Sequence, residues 1–220
     1  MNKYAIIVAG GSGVRLGGKL PKQFIMLHNK PVLQYSIDAF WDYDPKVKII
    51  LVVHPDFIEY WKNLKKQYCS RPYIITAGGD TRFQSVKNGL QHIKEEGLVA
   101  VHDAARPLLL PEHIGMLYAT AAEKGSAIPA TRINDTIRQL TPNGYMQINR
   151  DELRAIQTPQ IFKSGDLKKA YQQPYCESFT DDASVMESKG FGITLVAGSE
   201  RNIKITREED FIIASALLSI

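Results

Sequence analysis

Tyr4-Ala5-Ile6-Ile7-Val8 runs directly into Ala9-Gly10-Gly11-Ser12-Gly13-Val14-Arg15-Leu16-Gly17-Gly18-Lys19-Leu20-Pro21-Lys22-Gln23. The first five residues form a continuous apolar run, the pattern of a strand buried on both faces of a parallel sheet. The stretch after it is rich in glycine, which lets backbone N–H groups come close to a phosphate chain. A loop that leaves a first parallel strand opens at the ligand edge of the sheet. One stretch thus predicts both the fold class and the place of the site.

The apolar pattern recurs at Val47-Lys48-Ile49-Ile50-Leu51-Val52-Val53 and at Leu98-Val99-Ala100-Val101. Helical stripes lie between these runs. Phe57, Ile58, Trp61 and Leu64 share a face after Pro55, a good first-turn residue. Phe83, Val86, Leu90 and Ile93 share another, with Asp80 or Thr81 as its N-cap. The alternation predicts an α/β fold, a Rossmann-like, mostly parallel twisted sheet flanked by helices. The rhythm changes after Ile128-Pro129. Strand residues there surround Thr141-Pro142-Asn143-Gly144, and Asn-Gly marks a tight turn, so a β-hairpin arm is predicted at about residues 133–150. An isolated hairpin needs cover, which a partner subunit can give. A strand near Ile193–Val196, a short strand at Asn202–Ile205 and a helix at Glu208–Leu218 close the pattern, the helix carrying Phe211, Ile212 and Leu218 on its apolar face. Residues 1–220 read as a single domain with one arm.

With 220 residues, 44% hydrophobic and 23% charged, the chain can close a sizeable core, which excludes disorder as its main state. A net charge of +4 suits an anionic small-molecule substrate. Lys and Arg form no dense run, so no nucleic-acid partner is expected. Cys69 and Cys176 lie far apart without C-x-x-C spacing and read as reduced, partly buried thiols rather than a disulfide or a metal site. No apolar stretch reaches membrane length and the first is too short for a secretion signal, so a cytoplasmic protein without membrane contact is expected.

Three phosphate-binding patterns compete for the glycine-rich loop. A dinucleotide fingerprint starting at Gly11 and Gly13 needs glycine where Leu16 stands. A Walker A pattern on Gly13, Gly18 and Lys19 puts Leu20 where a hydroxyl must reach magnesium, and Pro21 where the helix should run. The third is a longer loop with two separated cations, Arg15 and Lys22. Such a pair suits a reaction in which charge builds on both an attacked phosphate and a departing pyrophosphate.

Taken together, Ala9 to Gln23, Val101-His102-Asp103-Ala104-Ala105-Arg106-Pro107, Thr158-Pro159-Gln160 and Asn202-Ile203-Lys204-Ile205-Thr206 resemble the 2-C-methyl-D-erythritol 4-phosphate cytidylyltransferases of the non-mevalonate isoprenoid pathway. The likeness runs from Ile6 to Asp210, with the motifs in family order. It implies a nucleotide-diphospho-sugar transferase type of fold and transfer of CMP from CTP to the phosphorylated polyol, with release of pyrophosphate. It also implies Mg2+ or another divalent cation, and a homodimer whose β-arms embrace and share active sites. One departure is Val8-Ala9-Gly10-Gly11, where the family loop often reads Pro-Ala-Ala-Gly.

The resemblance assigns Arg15 and Lys22 to the triphosphate and the transition state, where fixed cations relieve the extra charge of a pentacoordinate phosphorus. Lys19 falls on no family position. Ala9, Gly10, Gly11 and Gly13 line the nucleotide loop, Gly79, Asp80 and Ser85 read the cytosine, and Ala104 lies by the ribose. Asp80 read without the resemblance is simply a helix cap. Asp103 and Arg106 bind the acceptor, and Asp103, at the carboxyl end of a buried strand, is also placed to hold the metal. Thr158 and Lys204 bind or orient the sugar phosphate. Thr180 is a further contact or an N-cap. Thr136 and Arg150, in the arm, reach the acceptor phosphate across the dimer. His102 is not assigned as a general base: the nucleophile is a phosphate oxygen already deprotonated near neutral pH, so a packed or hydrogen-bonded histidine is expected.

Two rival readings remain. A sister cytidylyltransferase acting on ribitol or ribulose 5-phosphate shares most motifs, but Ala105 before Arg106 and the segment Thr180-Asp181-Asp182-Ala183-Ser184-Val185-Met186-Glu187 look more like the isoprenoid enzyme. A non-catalytic nucleotide-binding domain should have lost one of Arg15, Lys22, Asp103, Arg150 or Lys204, and all five are present.

Overall fold

A computed structural model describes residues 1–11, 20–69 and 71–219. In chain order the elements are β1 (Asn2–Ala9), β2 (Met26–Leu27), β3 (Lys30–Pro31), α1 (Val32–Tyr43), β4 (Lys48–Val53), α2 (Ile58–Leu64), β5 (Ile74–Ala77), α3 (Arg82–Leu90), β6 (Gly97–Asp103) and α4 (Pro111–Lys124). Then follow β7 (Ser126–Arg132), β8 (Ile137–Thr141), β9 (Gly144–Ile148), β10 (Arg154–Ile156), β11 (Gln160–Lys163), α5 (Ser164–Ala170), α6 (Asp182–Ser188), β12 (Leu195–Ala197) and α7 (Glu208–Leu218).

β1 is the centre of the sheet because it is apolar on both faces. It pairs in parallel with β4 on one side and β6 on the other, and β4 pairs in parallel with β5. Alternate side chains serve opposite layers. Ala5 and Ile7 join the core under α1 and α4, while Tyr4 and Ile6 join the core under α3, α5 and α6. Gly89 sets how closely α3 sits on the sheet: a Cβ there would stand 2.9 Å from Ile6 Cγ2 and 3.2 Å from Val52 Cγ2. Beyond β6 the sheet turns mixed. β11, from much later in the chain, pairs antiparallel with both β6 and β7, and β7 also takes β10 (antiparallel) and β12 (parallel).

The register places the site. Val8 is opposite Asp103, Ala9 opposite Val53, and Val53 opposite Ala77, so the carboxyl ends of β1, β4, β5 and β6 finish at one level. The chain builds outward from β1 through β4 to β5 and then crosses back to add β6 on the other side. That reversal opens a crevice beyond the strand ends.

Several expectations are corrected here. Asn202–Ile205 is not a strand. Its one backbone bond to the strand-end loops is Ile205 N–H to the Ala105 carbonyl (2.9 Å), and other backbone groups of the segment serve side chains. Ile212 is exposed, and α7 instead packs through Phe211, Ala214, Leu217 and Leu218. In the arm, Thr141 is opposite Gly144, so Pro142 and Asn143 form the loop and Gly144, at φ +129°, starts the return strand. Cys69 and Cys176 are both free, but Cys176 is exposed rather than partly buried. Among the described residues no helix is long and apolar enough to cross a membrane.

Candidate active site

A cavity of about 590 Å³ lies beyond the ends of β1, β5 and β6, a size that suits a small-molecule ligand. Ala9, Gly10, Gly11, Lys22, Gly79, Asp80, Ser85, Asp103, Ala104 and Lys204 all line it. These are ten of the positions that the sequence assigns, brought together from five separate segments. Arg15 and Gly13 lie outside the described residues.

The nucleotide side is built from close backbone approach. Thr81 Oγ1 caps α3 by accepting from the Gln84 N–H (3.0 Å), which resolves the choice of cap against Asp80 and leaves Asp80 exposed at the cavity. Ser85, on the first turn of α3, is buried, and its Oγ accepts from the Gly79 N–H (3.1 Å). A Cβ on Gly10 would sit 2.8 Å from Ser85 Oγ, so the glycine at this departure from the family loop and the Ser85 rotamer fit one another. Buried Gln23 donates to the carbonyls of Ala9 (2.9 Å) and Gly11 (3.0 Å), tying the far end of the glycine-rich loop to its start. Pro21 then admits the single short turn Lys22–Phe24, which presents Lys22 to the cavity with its Nζ donating to the Ile205 carbonyl at 2.6 Å.

The other side is an ion cluster around Asp103. Its carboxylate meets Lys204 Nζ at 2.8 Å, Arg82 Nε at 3.3 Å and Arg106 Nε at 4.0 Å. Burial alone would raise the Asp103 pKa, but Arg82, Lys204 and Arg106 together outweigh it and hold the carboxyl well below the usual range. Behind it, the Asp103 N–H donates to Thr158 Oγ1 (3.1 Å), whose hydroxyl lies 3.1 Å from His102 Nδ1. His102 Nε2 faces the Arg106 carbonyl at 3.4 Å. A carbonyl only accepts, so Nε2 carries the proton and the Thr158 hydroxyl donates to Nδ1. Burial pushes the fully enclosed His102 down to about 4. It is a neutral structural histidine, as the sequence reading expected.

Thr158, Arg106 and Thr180 lie elsewhere than the resemblance implies for a substrate contact. Thr158 is buried and spends its hydroxyl on His102 and Asp103, away from the cavity. Arg106 is buried and donates to the Asn202 carbonyl (2.7 Å), so it too stands behind Asp103. Thr180 is exposed and does not line the cavity, and the N-cap of α6 is Asp181, in a capping box with Ser184. Arg150 and Thr136 are exposed in the arm and do not line the cavity of their own chain, Arg150 instead donating to the Asn134 carbonyl. Val8, Gln23, Thr81, Arg82, Ala105 and Thr206, none of them given a site role from the sequence, also line the cavity. Arg82 directly follows the cap residue Thr81, and Thr206 stands two places after Lys204, its N–H and hydroxyl both donating to Asp210.

Among the described residues no three His, Cys, Asp or Glu side chains converge as a metal cage. The two cavity carboxylates, Asp80 and Asp103, match instead the donor set of Mg2+ held by one or two carboxylates and substrate phosphates. In that sense the residues fit a divalent cation.

The family model for 2-C-methyl-D-erythritol 4-phosphate cytidylyltransferase (IspD) matches residues 4–220. The enzyme of that name from Phocaeicola vulgatus is 46% identical over 219 residues, covering 99% of this chain and 100% of that protein. Among solved structures, 4-diphosphocytidyl-2C-methyl-D-erythritol synthase from Anaerococcus prevotii superposes with a TM-score of 0.85 at 28% identity, over 100% of this chain and 96% of that one. The Francisella tularensis 2-C-methyl-D-erythritol 4-phosphate cytidylyltransferase superposes with a TM-score of 0.80 at 35% identity, over 98% and 99%.

Proposed function

From the premise that the chain belongs to the 2-C-methyl-D-erythritol 4-phosphate cytidylyltransferase family, we propose which of its residues perform the reaction. The chemistry is cytidylyl transfer from CTP to 2-C-methyl-D-erythritol 4-phosphate in isoprenoid biosynthesis. An oxygen of the acceptor phosphate bonds to the α-phosphorus of CTP, the bond from that phosphorus to the bridging oxygen breaks, and pyrophosphate leaves with the electron pair. The attacking oxygen is already ionised near neutral pH, so no protein base is required.

Catalysis then reduces to placement and charge. Lys22 and Arg15 grip the triphosphate and relieve the charge of the pentacoordinate phosphorus. Gly79, Asp80 and Ser85 read the cytosine edge at the start of α3, and Ala104 lies by the ribose. Ala9, Gly10, Gly11 and Gly13 let the loop backbone follow the phosphates. Lys204 takes the acceptor phosphate, while Asp103 binds the acceptor polyol and would hold a divalent cation, Mg2+, carried by the triphosphate. Such a cation supplies charge neutralisation between the phosphates. Arg106 and Thr158 support Asp103 from behind. Arg150 and Thr136 complete the acceptor pocket of a neighbouring protomer in a homodimer joined through the arms, with Thr180 at its edge. Support for that assembly comes from the arm itself: Leu140 and Tyr145, opposite one another in the hairpin, are both more than 70% exposed. The setting we propose is a single cytoplasmic domain.

The observation that carries the assignment is the meeting, in one cavity, of the glycine-rich loop, Lys22, the Gly79–Ser85 junction and the Asp103–Lys204 pair. Pyrophosphate release with CTP, Mg2+ and each acceptor tests it. Turnover with 2-C-methyl-D-erythritol 4-phosphate is expected, and turnover with ribitol or ribulose 5-phosphate alone would reverse the acceptor assignment. No pyrophosphate with any acceptor would favour a non-catalytic nucleotide-binding domain.

A further inference from the structure

Arg82 holds a place that helix chemistry disfavours. It is the first residue of α3, where the helix dipole repels a cation. Two carboxylates compensate. Its Nε meets Asp103 Oδ1 at 3.3 Å and its second terminal nitrogen meets Asp182 Oδ2 at 2.6 Å. Asp182 is fully buried, does not line the cavity, and spends its other oxygen on the Tyr171 hydroxyl, which donates to Oδ1 at 2.6 Å. Tyr171 is itself buried, with its ring stacked on Phe83 at 4.7 Å. Asp182 cannot drift, because Gln160 on β11 grips the start of α6: its Oε1 accepts from the Ala183 N–H and its Nε2 donates to Asp181, each at 2.8 Å.

From this chain of contacts we infer that Arg82 is a positioning residue for Asp103, and that Asp182 and the Tyr171 hydroxyl form its rear anchor. The planar guanidinium spans the two carboxylates with separate edges, a task that lysine's point charge does not reproduce. Its front bond fixes Asp103 Oδ1, leaving Oδ2 toward Lys204. Its rear bond is the shorter, so the balance already leans inward. Removing the Tyr171 hydroxyl leaves Asp182 Oδ1 buried and unpaired, which increases the pull of Asp182 on the guanidinium and draws it off Asp103. Tyr171, which lines no part of the cavity, thereby acts on the reacting groups through two intermediates.

The inference rests on the assignment of Asp103 to the reacting groups. Activity of Asp103→Asn alone tests that assignment separately. The anchor is tested by Tyr171→Phe, which keeps the stacked ring, measured in the wild-type and Arg82→Ala backgrounds (Arg82→Gln if the alanine variant does not fold). In the wild type, Tyr171→Phe is expected to lower kcat roughly tenfold, which is about 1.4 kcal/mol and close to the lower end of the worth of a hydrogen bond to a charged group. KM for CTP should stay within about twofold, because the nucleotide side of the cavity is untouched. In the Arg82→Ala background the same substitution should cost nothing further in kcat, and Arg82→Lys should recover part of what Arg82→Ala loses. An equal loss in both backgrounds would overturn the inference. So would a Tyr171→Phe enzyme with lowered Tm and unchanged kcat, since a purely structural hydroxyl gives that result.

Discussion

Acidification should destabilise this protein in two separate steps, and the first belongs to His102. In the folded chain burial lowers its pKa from 6.5 to about 4. Between those values the unfolded chain binds the proton and the folded one does not, so stability is fully present above 6.5 and is lost as pH falls towards 4. The whole drop is worth roughly 3.4 kcal/mol, at about 1.36 kcal/mol for each pH unit. For a domain of this length that corresponds to about 10 °C in Tm. The second step lies lower. Asp103 has a depressed pKa in the folded state, so its contribution is fully present above the ordinary carboxylate pKa and is lost as the pH falls below that value towards the folded one. Thermal unfolding from pH 7.5 to 4.5, followed by circular dichroism in wild type and His102→Gln, separates the steps. Glutamine offers one donor for the Arg106 carbonyl and one acceptor for the Thr158 hydroxyl, but no proton to titrate. The variant should be less stable at pH 7.5 but should have a nearly flat profile from 6.5 to 4.5, and its kcat between pH 6.5 and 8 should run parallel to wild type. Parallel Tm profiles in the two proteins would refute the buried, neutral histidine. A kcat limb lost with His102 would restore it as a catalytic base.

Lys22→Ala should lower pyrophosphate release by roughly a thousandfold, the scale of losing one preorganised charge contact; comparable activity would show that the loop is misassigned. Lys204→Gln should raise KM for the acceptor while leaving KM for CTP near wild type, because Lys204 pairs with Asp103. If Arg150 serves the neighbouring protomer, an equal mixture of unfolded and refolded Lys22→Ala and Arg150→Ala chains should regain about a quarter of wild-type activity, since random pairing makes half the dimers mixed and each mixed dimer has one intact site. No regain would confine each site to one chain. Leu140→Lys combined with Tyr145→Lys, on one face of the hairpin, should shift sedimentation from dimer to monomer without lowering helix content.

The central part of the fold was legible because it is written in local pattern. β1, β4 and β6 are continuous apolar runs, and Glu208–Leu218 forms a helix with the bounds its pattern predicts. The mixed edge was not legible. β11 is a four-residue strand that enters between β6 and β7, and no local signal tells an antiparallel insertion from a loop. The small β2–β3 hairpin turns on His28 and Asn29, both at positive φ, and His-Asn is a weak cue beside Asn-Gly. The cavity positions on the glycine-rich loop, the Gly79–Ser85 junction and the Asp103–Ala104 strand end were assigned to one site by the family resemblance, and they line one cavity because each follows a strand end and those ends share an edge. Whether a polar side chain faces substrate or supports one that does is a different matter. Thr158 and Arg106 stand in the right motifs, yet their groups are consumed inside. The Arg82–Asp182 bond joins residues 100 apart in sequence, a contact that no spacing rule can suggest.

The same distinction explains why a segment that looked like a strand is not one. Residues 202–206 pair with no strand among the described residues, and their polar groups are divided among several clients. The Asn202 carbonyl takes Arg106, the Ile205 carbonyl takes Lys22, and Lys204 pairs with Asp103. A strand would spend those carbonyls on a neighbouring ladder. Left unspent, they connect a cation of the glycine-rich loop to the arginine behind the β6 strand end. This matters because among the described residues three cations, Lys22, Arg82 and Lys204, line the cavity together with two carboxylates, Asp80 and Asp103. Cations fixed in advance stabilise a developing phosphate charge without reorganisation, but they repel one another until the phosphates arrive. Asp103 offsets that repulsion for Arg82 and Lys204, and the dipole of the Ile205 carbonyl contributes to it for Lys22. A neutral carbonyl competes far less with an incoming triphosphate than a carboxylate would. The Ile205 carbonyl is therefore a partner of Lys22 that a triphosphate displaces easily, whereas the lysine assigned to the acceptor sits on a carboxylate. That asymmetry favours CTP engaging its cation first, and it predicts product-inhibition patterns of ordered binding with the nucleotide leading; acceptor-first or random-order patterns would show that the Lys204–Asp103 pair does not govern access.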